Sequence, residues 1–398
     1  MHPADEIRES KSNKLSKKRI VLGVTGSIAS VETVKLSREL IRHGAEVIPV
    51  MSPSATKIIH PDAIWFATGN KPIVELTGAT EHVSFCGRVK DPADLLLISP
   101  CTANTISKIA HGIDDTSVTT FASTAIGSNI SILIVPAMHI SMFDHKIVQK
   151  NIQICKKVGI NFVEPKIKKN KAKMANINEI VAYVIRETSN QDLANKKILI
   201  IGGPTSESID DVRVITNRSS GKTAVFLAKN AFYRGADVEL WYGVGKEPTP
   251  SFVKTVGFES IDDIVGLIEK KDVKKFDIIL ICAALSDYAP KKQIGKIQSG
   301  KEKLVIEMSS TPKIIPKLRQ KSPKSKIIGF KVEDKKDNLI DRAQDLLINN
   351  NIDFVVANTI SGFTGNDNEI WIIDKKGKSV HNKGNKEELA NYILDSVK

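Results

Sequence analysis

Cysteine, aromatic residues and long apolar runs are all scarce in this sequence. Four cysteines, Cys86, Cys101, Cys155 and Cys282, are scattered through 398 residues without a CxxC pair. That excludes a disulfide framework, argues against a zinc site and suits a reducing compartment. No apolar stretch approaches the roughly 20 residues that cross a bilayer, and the polar start MHPADEIRESKSNKLSKKR lacks the apolar centre of a signal peptide. The expected location is the cytoplasm, with no membrane partner. Aromatic residues make up only 5% and do not stud a basic stripe. The formal charge of +13, from 58 Lys and Arg against 45 Asp and Glu, is instead spread along the whole chain. Nucleic acid is therefore not an expected partner, and small phosphorylated substrates fit better.

Two nucleotide-binding fingerprints are missing as well. GVTGSIAS, from Gly23 to Ser30, lacks GxGxxG, so a mononucleotide suits it better than a dinucleotide. The run SSGKT ends like a P-loop, but that motif needs a glycine five residues before Gly221, where Thr216 stands.

What is present is alternation. Apolar, β-branched runs at Arg19–Thr25, Glu46–Met51, Asp94–Ser99 and Ile130–Val135 are separated by helical patterns at Ala29–His43, Thr102–His111 and Ser117–Ala125. Longer helices follow at Met142–Val158 and Asn178–Glu187. The order repeats after the polar stretch Thr188–Asn195, with strands at Ile198–Ile201, Val238–Tyr242, Ile278–Ala283, Lys326–Phe330 and Asp353–Ala357. A hairpin around Lys375-Lys376-Gly377 and a terminal helix close the chain. This pattern predicts two α/β domains of Rossmann-like, three-layer build with mostly parallel sheets, and ligands at the carboxyl ends of the strands. The expected division is a flexible segment 1–17, a first domain 18–187, a linker 188–195 and a second domain 196–398. Lys166–Lys173 reads as a mobile flap or a solvated loop.

In the second half, GGPTSESIDDVRVITNRSSGKTA (Gly202–Ala224) joins a short strand to a helix through a glycine turn. Ser219 and Ser220 are the expected N-caps, and free amides there favour an anion.

Three motifs carry a resemblance in the first half: GVTGSIAS, PCTANT (Pro100–Thr105) and VPAMHISMF (Val135–Phe143). Together they resemble the flavin-dependent cysteine decarboxylase family, in its phosphopantothenoylcysteine decarboxylase branch, over residues 18–187. The resemblance implies a flavodoxin-like flavoprotein fold with FMN held by Gly26, Ser27, Ile28, Ser52, Thr102, Ala103, Asn104, Thr105 and Ala137. It implies His82, in GATEHVSF just before an apolar strand, as catalytic base, and His139, Lys173 and Met174 as substrate contacts. FMN would supply an electron sink, because oxidation of the thiol to a thioaldehyde lets the carboxylate leave. Two positions depart from the family: His139 replaces the asparagine of PAMN, and no cysteine precedes the lysine-rich loop where the family has its proton donor.

The second half resembles phosphopantothenate-cysteine ligase over residues 193–395, through Gly202–Ala224, AALSDYAP (Ala283–Pro290), GKIQSG and GFKVED (Gly329–Asp334). Both halves together resemble the fused bifunctional family of coenzyme A biosynthesis, in an archaeal-like variant. The resemblance implies transfer of a nucleotidyl group from a nucleoside triphosphate, with CTP favoured, to 4'-phosphopantothenate, followed by attack of the cysteine amine. It makes Asn217 and Lys296 catalytic and Mg2+ a cofactor whose ligands are unassigned. The nucleotide contacts it implies are Gly203, Ser219, Ser220, Gly221, Lys222, Ile281, Cys282, Ala283, Asp287, Lys296, Pro312, Lys313, Ile314, Ile315, Phe330 and Lys331. Gln298 and Ser299 stand where bacterial members have further lysines. A homo-oligomer is implied, with trimeric decarboxylase and dimeric ligase contacts. Two other readings stay open for the first half: a decarboxylase for a different cysteine-derived or peptidyl substrate, and a flavin-binding regulatory module.

Overall fold

The computed structural model describes residues 2–168, 171–300, 302–360, 365 and 367–398. It divides into two compact units, Met1–Asn190 and Gln191–Lys398.

In the first unit, β1 (Arg19–Val24), β2 (Glu46–Met51), β3 (Leu95–Cys101), β4 (Ile132–Pro136) and the short β6 (Asn161–Phe162) make one parallel sheet in the order β2-β1-β3-β4-β6. Their apolar runs are continuous because helices cover both faces. β3 is buried at all seven positions, and Phe121 of the helix Ser117–Ser128 packs in the same core. Each fully buried Leu or Ile of this kind contributes about 1.5–3 kcal/mol. The strand order reverses between β1 and β3, which opens a crevice at their carboxyl ends.

Several local expectations change. Ile28–Glu32 is a 3₁₀ turn that precedes an α-helix at Thr33–Arg42, so the helix is shorter than Ala29–His43. The Met142–Val158 pattern is two helices, Ile140–Phe143 and Lys146–Lys157, with His145 as N-cap of the second. The helices Pro61–Thr68 and Glu81–Cys86 were not anticipated. Residues 2–17, expected to be flexible, are packed: Leu15 is fully buried, its amide donates to His43 O at 2.8 Å, and Lys11 pairs with Glu39. The lysine-rich stretch forms a hairpin of β7 (Lys166–Lys168) and β8 (Lys171–Lys173), with β8 pairing to β5 (Met138–His139). Its residues 169 and 170 lie outside the described residues.

The second unit has an eight-stranded sheet in the order β13-β12-β9-β14-β17-β18-β19-β20. Its strands are β9 (Lys197–Gly202), β12 (Asp237–Tyr242), β13 (Lys254–Gly257), β14 (Ile278–Ile281), β17 (Lys326–Glu333), β18 (Phe354–Thr359), β19 (Asp367–Asp374) and β20 (Ser379–Asn385). All run parallel except the β18-β19-β20 edge, where the expected hairpin lies. Trp241 is fully buried in the core. Two small arms stand apart from the sheet: β10 (Ser206–Ser208) with β11 (Val214–Thr216), and β15 (Tyr288–Pro290) with β16 (Met308–Ser310). The order reverses again between β9 and β14.

Candidate active sites

At the first reversal, side chains lock the strand ends together. The Thr25 hydroxyl donates to Pro100 O at 2.8 Å and accepts from Thr102 N at 3.1 Å. Ser27 Oγ donates to Ala137 O at 3.2 Å, and Ala137 N donates to Cys101 O at 3.0 Å. A Cβ on Gly26 would lie 2.5 Å from Ser54 Cβ, so this turn has room only for glycine. These contacts frame a cavity of ≈ 950 Å³, in the range of small-molecule sites. Gly26, Ser27, Ile28, Thr102, Ala103, Ala137, His139, Lys173 and Met174 all line it.

Three expected residues do not line it. Ser52 and Thr105 are buried: Ser52 Oγ accepts from Ala55 N at 3.3 Å, and Thr105 N donates to Thr102 Oγ1 at 3.3 Å. Ser52 is the N-cap of the turn Pro53–Thr56, whereas Thr105 lies in the first turn of the helix Ala103–Ala110, whose N-cap is Thr102. Asn104 is exposed. The sequence reading missed Val31, Glu32, Met142, Asn176 and Asn178, which complete the wall. Met142 lies within the VPAMHISMF motif, while none of the sequence motifs marks the other four.

His139 caps the helix Ile140–Phe143, with its Nδ1 accepting from Ser141 N at 3.3 Å. The proton of the neutral ring is thereby assigned to Nε2. His82 is not in front of a strand: it sits in the helix Glu81–Cys86, away from the cavity lining, and its buried Nδ1 has no partner among the described residues. Cys101 and Cys155 are buried, and burial pushes both thiols up, Cys155 to about 11. Neither is an accessible acid or nucleophile at neutral pH.

In the second unit a smaller cavity of ≈ 110 Å³ lies between the sheet and the starts of two helices. Ser219, Ser220, Gly221, Lys222, Cys282, Ala283 and Phe330 line it, as do the unforeseen Asn358 and Lys386. The N-cap of the helix Lys222–Tyr233 is Gly221, with φ +79°, in place of the two serines. A Cβ there would meet Tyr242 Oη at 2.1 Å. The single proton of the Tyr242 hydroxyl is shared between Ser220 O at 3.1 Å and Glu247 O at 3.0 Å, and burial raises its pKa to about 12.

β14 stops at Ile281, and the chain beyond it crosses to the Gly203 turn, where Ala284 N donates to Gly203 O at 3.0 Å. Asn217 Nδ2 donates to Ala284 O at 2.9 Å, which sets Asn217 beside Ala283 but outside the lining. Lys296 is exposed on a loop held by the aspartates of the ESIDDVR stretch. Asp210 accepts from Ile297 N at 3.0 Å and Arg213 N at 2.6 Å, while Asp211 accepts from Gly295 N at 2.8 Å. The Ile297 amide first, with those of Val212 and Arg213, holds the Asp210 carboxyl well below the usual range against the opposing effect of burial. Asp287 pairs with Lys313 at 2.6 Å, and Lys331 with Glu333 at 2.8 Å. Ile281 and Ile314 are core residues. Gly203, Pro312 and Ile315, with these two isoleucines and both ion pairs, lie outside the lining of the cavity. Among the described residues no group of three or more His, Cys, Asp or Glu side chains could hold a metal ion.

Both cavities lie in halves that known families cover. The model for the DNA/pantothenate metabolism flavoprotein C-terminal domain matches residues 193–398, and the Flavoprotein model matches residues 8–189. The coenzyme A biosynthesis bifunctional protein CoaBC of Thermococcus kodakarensis is 45% identical over 402 residues, covering 100% of this chain and 99% of its own. That of Methanocaldococcus jannaschii is 39% identical over 409 residues, covering 100% and 98%. The chain belongs to the CoaBC family. It is thus a bifunctional enzyme, a phosphopantothenate-cysteine ligase and a phosphopantothenoylcysteine decarboxylase, with a flavodoxin-like first unit. Among solved structures, the DNA/pantothenate metabolism flavoprotein from Streptococcus pneumoniae is 28% identical, with a TM-score of 0.45, covering 51% of this chain and 98% of its own.

Within the CoaBC frame, the His139 departure noted in the sequence sits beside the lysine-rich hairpin. His139 and Lys173 line the same cavity, on strands that pair with each other.

Proposed function

We propose that the second unit joins 4'-phosphopantothenate to cysteine through an acyl-nucleotide made from CTP, and that the first unit decarboxylates the product with FMN in the ≈ 950 Å³ cavity. The carrying observation is the lining of that cavity, where a glycine turn and a helix start meet apolar walls and polar side chains that include His139 and Lys173. The residues fit the flavin. Ile28, Val31, Met138, Met142 and Met174 offer apolar surface to a ring system. The first amides of the helix Ala103–Ala110 offer an anion site for its phosphate. Bound FMN supplies the oxidation that turns the substrate thiol into an electron sink. His139 presents Nε2–H where the family presents an asparagine amide, so it donates to the substrate carboxylate. Lys173, on the hairpin, stands in for the missing cysteine as the acid that returns the proton.

His82 is the base, and its place outside the cavity lining supports a homo-oligomer in which a neighbouring subunit's His82 reaches the site. Its buried, unpartnered Nδ1 suits a group that is satisfied only on assembly. In the second unit Lys296 neutralises charge at the α-phosphate and Asn217 holds the acyl intermediate. Mg2+ enters on the triphosphate, because such ions are held by substrate phosphates with few protein ligands. The working place is the cytoplasm, where the four free thiols stay reduced.

The test uses the purified chain with phosphopantothenate, cysteine, Mg2+ and either CTP or ATP, following pyrophosphate and CO2. A yellow protein that releases both products, faster with CTP, is expected. Pyrophosphate without CO2 would remove the decarboxylase half of this reading, and colourless protein would remove the flavin.

A further inference from the structure

Two helices, Lys222–Tyr233 and Lys386–Val397, start at the smaller cavity of the second unit, and each has a lysine as its first residue. Lys386 is only 5% exposed, and its ammonium has no hydrogen-bond or ion-pair partner among the described residues. Three things make this arrangement unfavourable for the empty protein. Burial penalises the charged form, as its lowered pKa reflects, with repulsion by Lys222 next and a smaller opposing attraction from Glu247. A cation on the first turn also opposes the dipole of its own helix. The cavity itself offers no counter-charge either, since no Asp or Glu lines it. A fold that needed only a helix start here would do better with almost any other residue.

The surroundings are made for an oxyanion. Gly221 leaves the start of the helix Lys222–Tyr233 without a side-chain cap. Ser219 and Ser220 Oγ accept long contacts from Gly221 N at 3.4 Å and Lys222 N at 3.3 Å, which leaves both hydroxyl protons to donate. The ≈ 110 Å³ of space is several times the ~10–15 Å³ that one water needs. We infer that Lys386 and the start of the helix Lys222–Tyr233 form a phosphate subsite, in which Lys386 is a buried cation reserved for a substrate phosphate oxygen. The inference rests on the ligase reading of this unit. The phosphate comes either from the nucleotide chain or from the phosphopantothenate, and the binding arms below separate these sources.

The full chain is compared with Lys386→Met and Lys386→Arg, by calorimetric binding of inorganic pyrophosphate, CTP and phosphopantothenate and by thermal unfolding without ligand. Loss of a charge-assisted hydrogen bond predicts roughly 10- to 100-fold weaker binding in Lys386→Met, with the arginine variant retaining most of the affinity. The ligand-free methionine variant should unfold at a higher temperature than the wild type, which a merely structural lysine would not produce. Weaker binding of pyrophosphate and CTP assigns the nucleotide chain; weaker binding of phosphopantothenate alone assigns the other phosphate. Unchanged affinity for all three overturns the subsite.

Should the methionine variant not fold, the arginine variant decides through pH. Wild-type binding weakens as pH rises through the depressed Lys386 value, while Lys222, Glu247 and the Cys282 thiol, pushed to about 12 by burial, are the same in both proteins. Arginine holding its affinity where lysine loses it supports the inference, and parallel curves overturn it. Unchanged KM and turnover in Lys386→Met would remove the subsite and leave the ligase standing. Lys386-dependent pyrophosphate binding in a protein that never releases pyrophosphate from CTP would do the reverse.

Discussion

Gly221→Ala tests the second site at its narrowest point. The residue sits at φ +79°, where an L side chain costs about 1–2 kcal/mol. The added Cβ would also stand 2.1 Å from Tyr242 Oη and 2.6 Å from Tyr242 Cζ, so the ring must move. That shift breaks the one hydrogen bond that the hydroxyl shares between Ser220 O and Glu247 O, worth about 0.5–1.5 kcal/mol net. A loss of about 1.5–3.5 kcal/mol follows, in the range of core overpacking and backbone strain. Urea unfolding of the full chain, followed by tryptophan emission to which Trp241, fully buried in the same unit, contributes, should show the midpoint fall. The KM for CTP should rise as the amides at the helix start shift. Tyr242→Phe removes the shortest clash, so the double variant should be less damaged than the sum of the singles, by about 0.5–3 kcal/mol for residues in contact. An unchanged midpoint and KM in Gly221→Ala, or strict additivity with Tyr242→Phe, would refute the reasoning.

Three further outcomes are expected. His82→Asn should retain FMN colour and lose about 10²–10⁴-fold in CO2 release; full turnover would eliminate the base. Lys296→Gln should abolish pyrophosphate release while leaving the unfolding midpoint unchanged, since the side chain is exposed, and wild-type release would sink the assignment. Burial tends to raise the Glu239 carboxyl, but Lys271, Trp241 Nε1 and Lys254 outweigh it and bring it from 4.5 to about 2. Its folded value lies below the unfolded one, so it stabilises the second unit above about pH 4.5 and that contribution fades as pH falls towards 2. Acid unfolding of Glu239→Gln should be flatter over this window, and an identical pH profile would contradict the linkage.

The larger elements were legible because burial on two faces writes itself into sequence. β1, β2, β3 and β9 each appear as an unbroken apolar run within a residue or two of its limits. Short strands were not. β10, β11, β15 and β16 have three residues each, too few for a period, and exist only through pairing with one another. The wrong N-cap has a similar origin: Ser219 and Ser220 have the right chemistry, but the turn requires a positive φ that only Gly221 adopts cheaply. His82 was set before a strand by resemblance, whereas its own segment closes a helical turn, with Gly87 N donating to Val83 O at 2.8 Å.

By itself, the sequence determined the two α/β units, the order of their strands along the chain and the motifs at the strand ends, because hydrophobic period and turn chemistry are local. It also carried the family signature, whose positions are read without any fold. Only the tertiary structure decided which motif residues share a cavity, since that depends on the reversal of strand order at β1/β3 and β9/β14. It separated Ser52 and Thr105, which are buried at helix starts, from Thr102 and Ala137, which line the cavity. Above all, it singled out Lys386 from the lysines of a basic tail. Its burial comes from packing one helix beside another more than 150 residues earlier in the chain, as in the bond from Asn230 Nδ2 to Glu387 O (sequence separation 157). No pattern within the tail could have shown it.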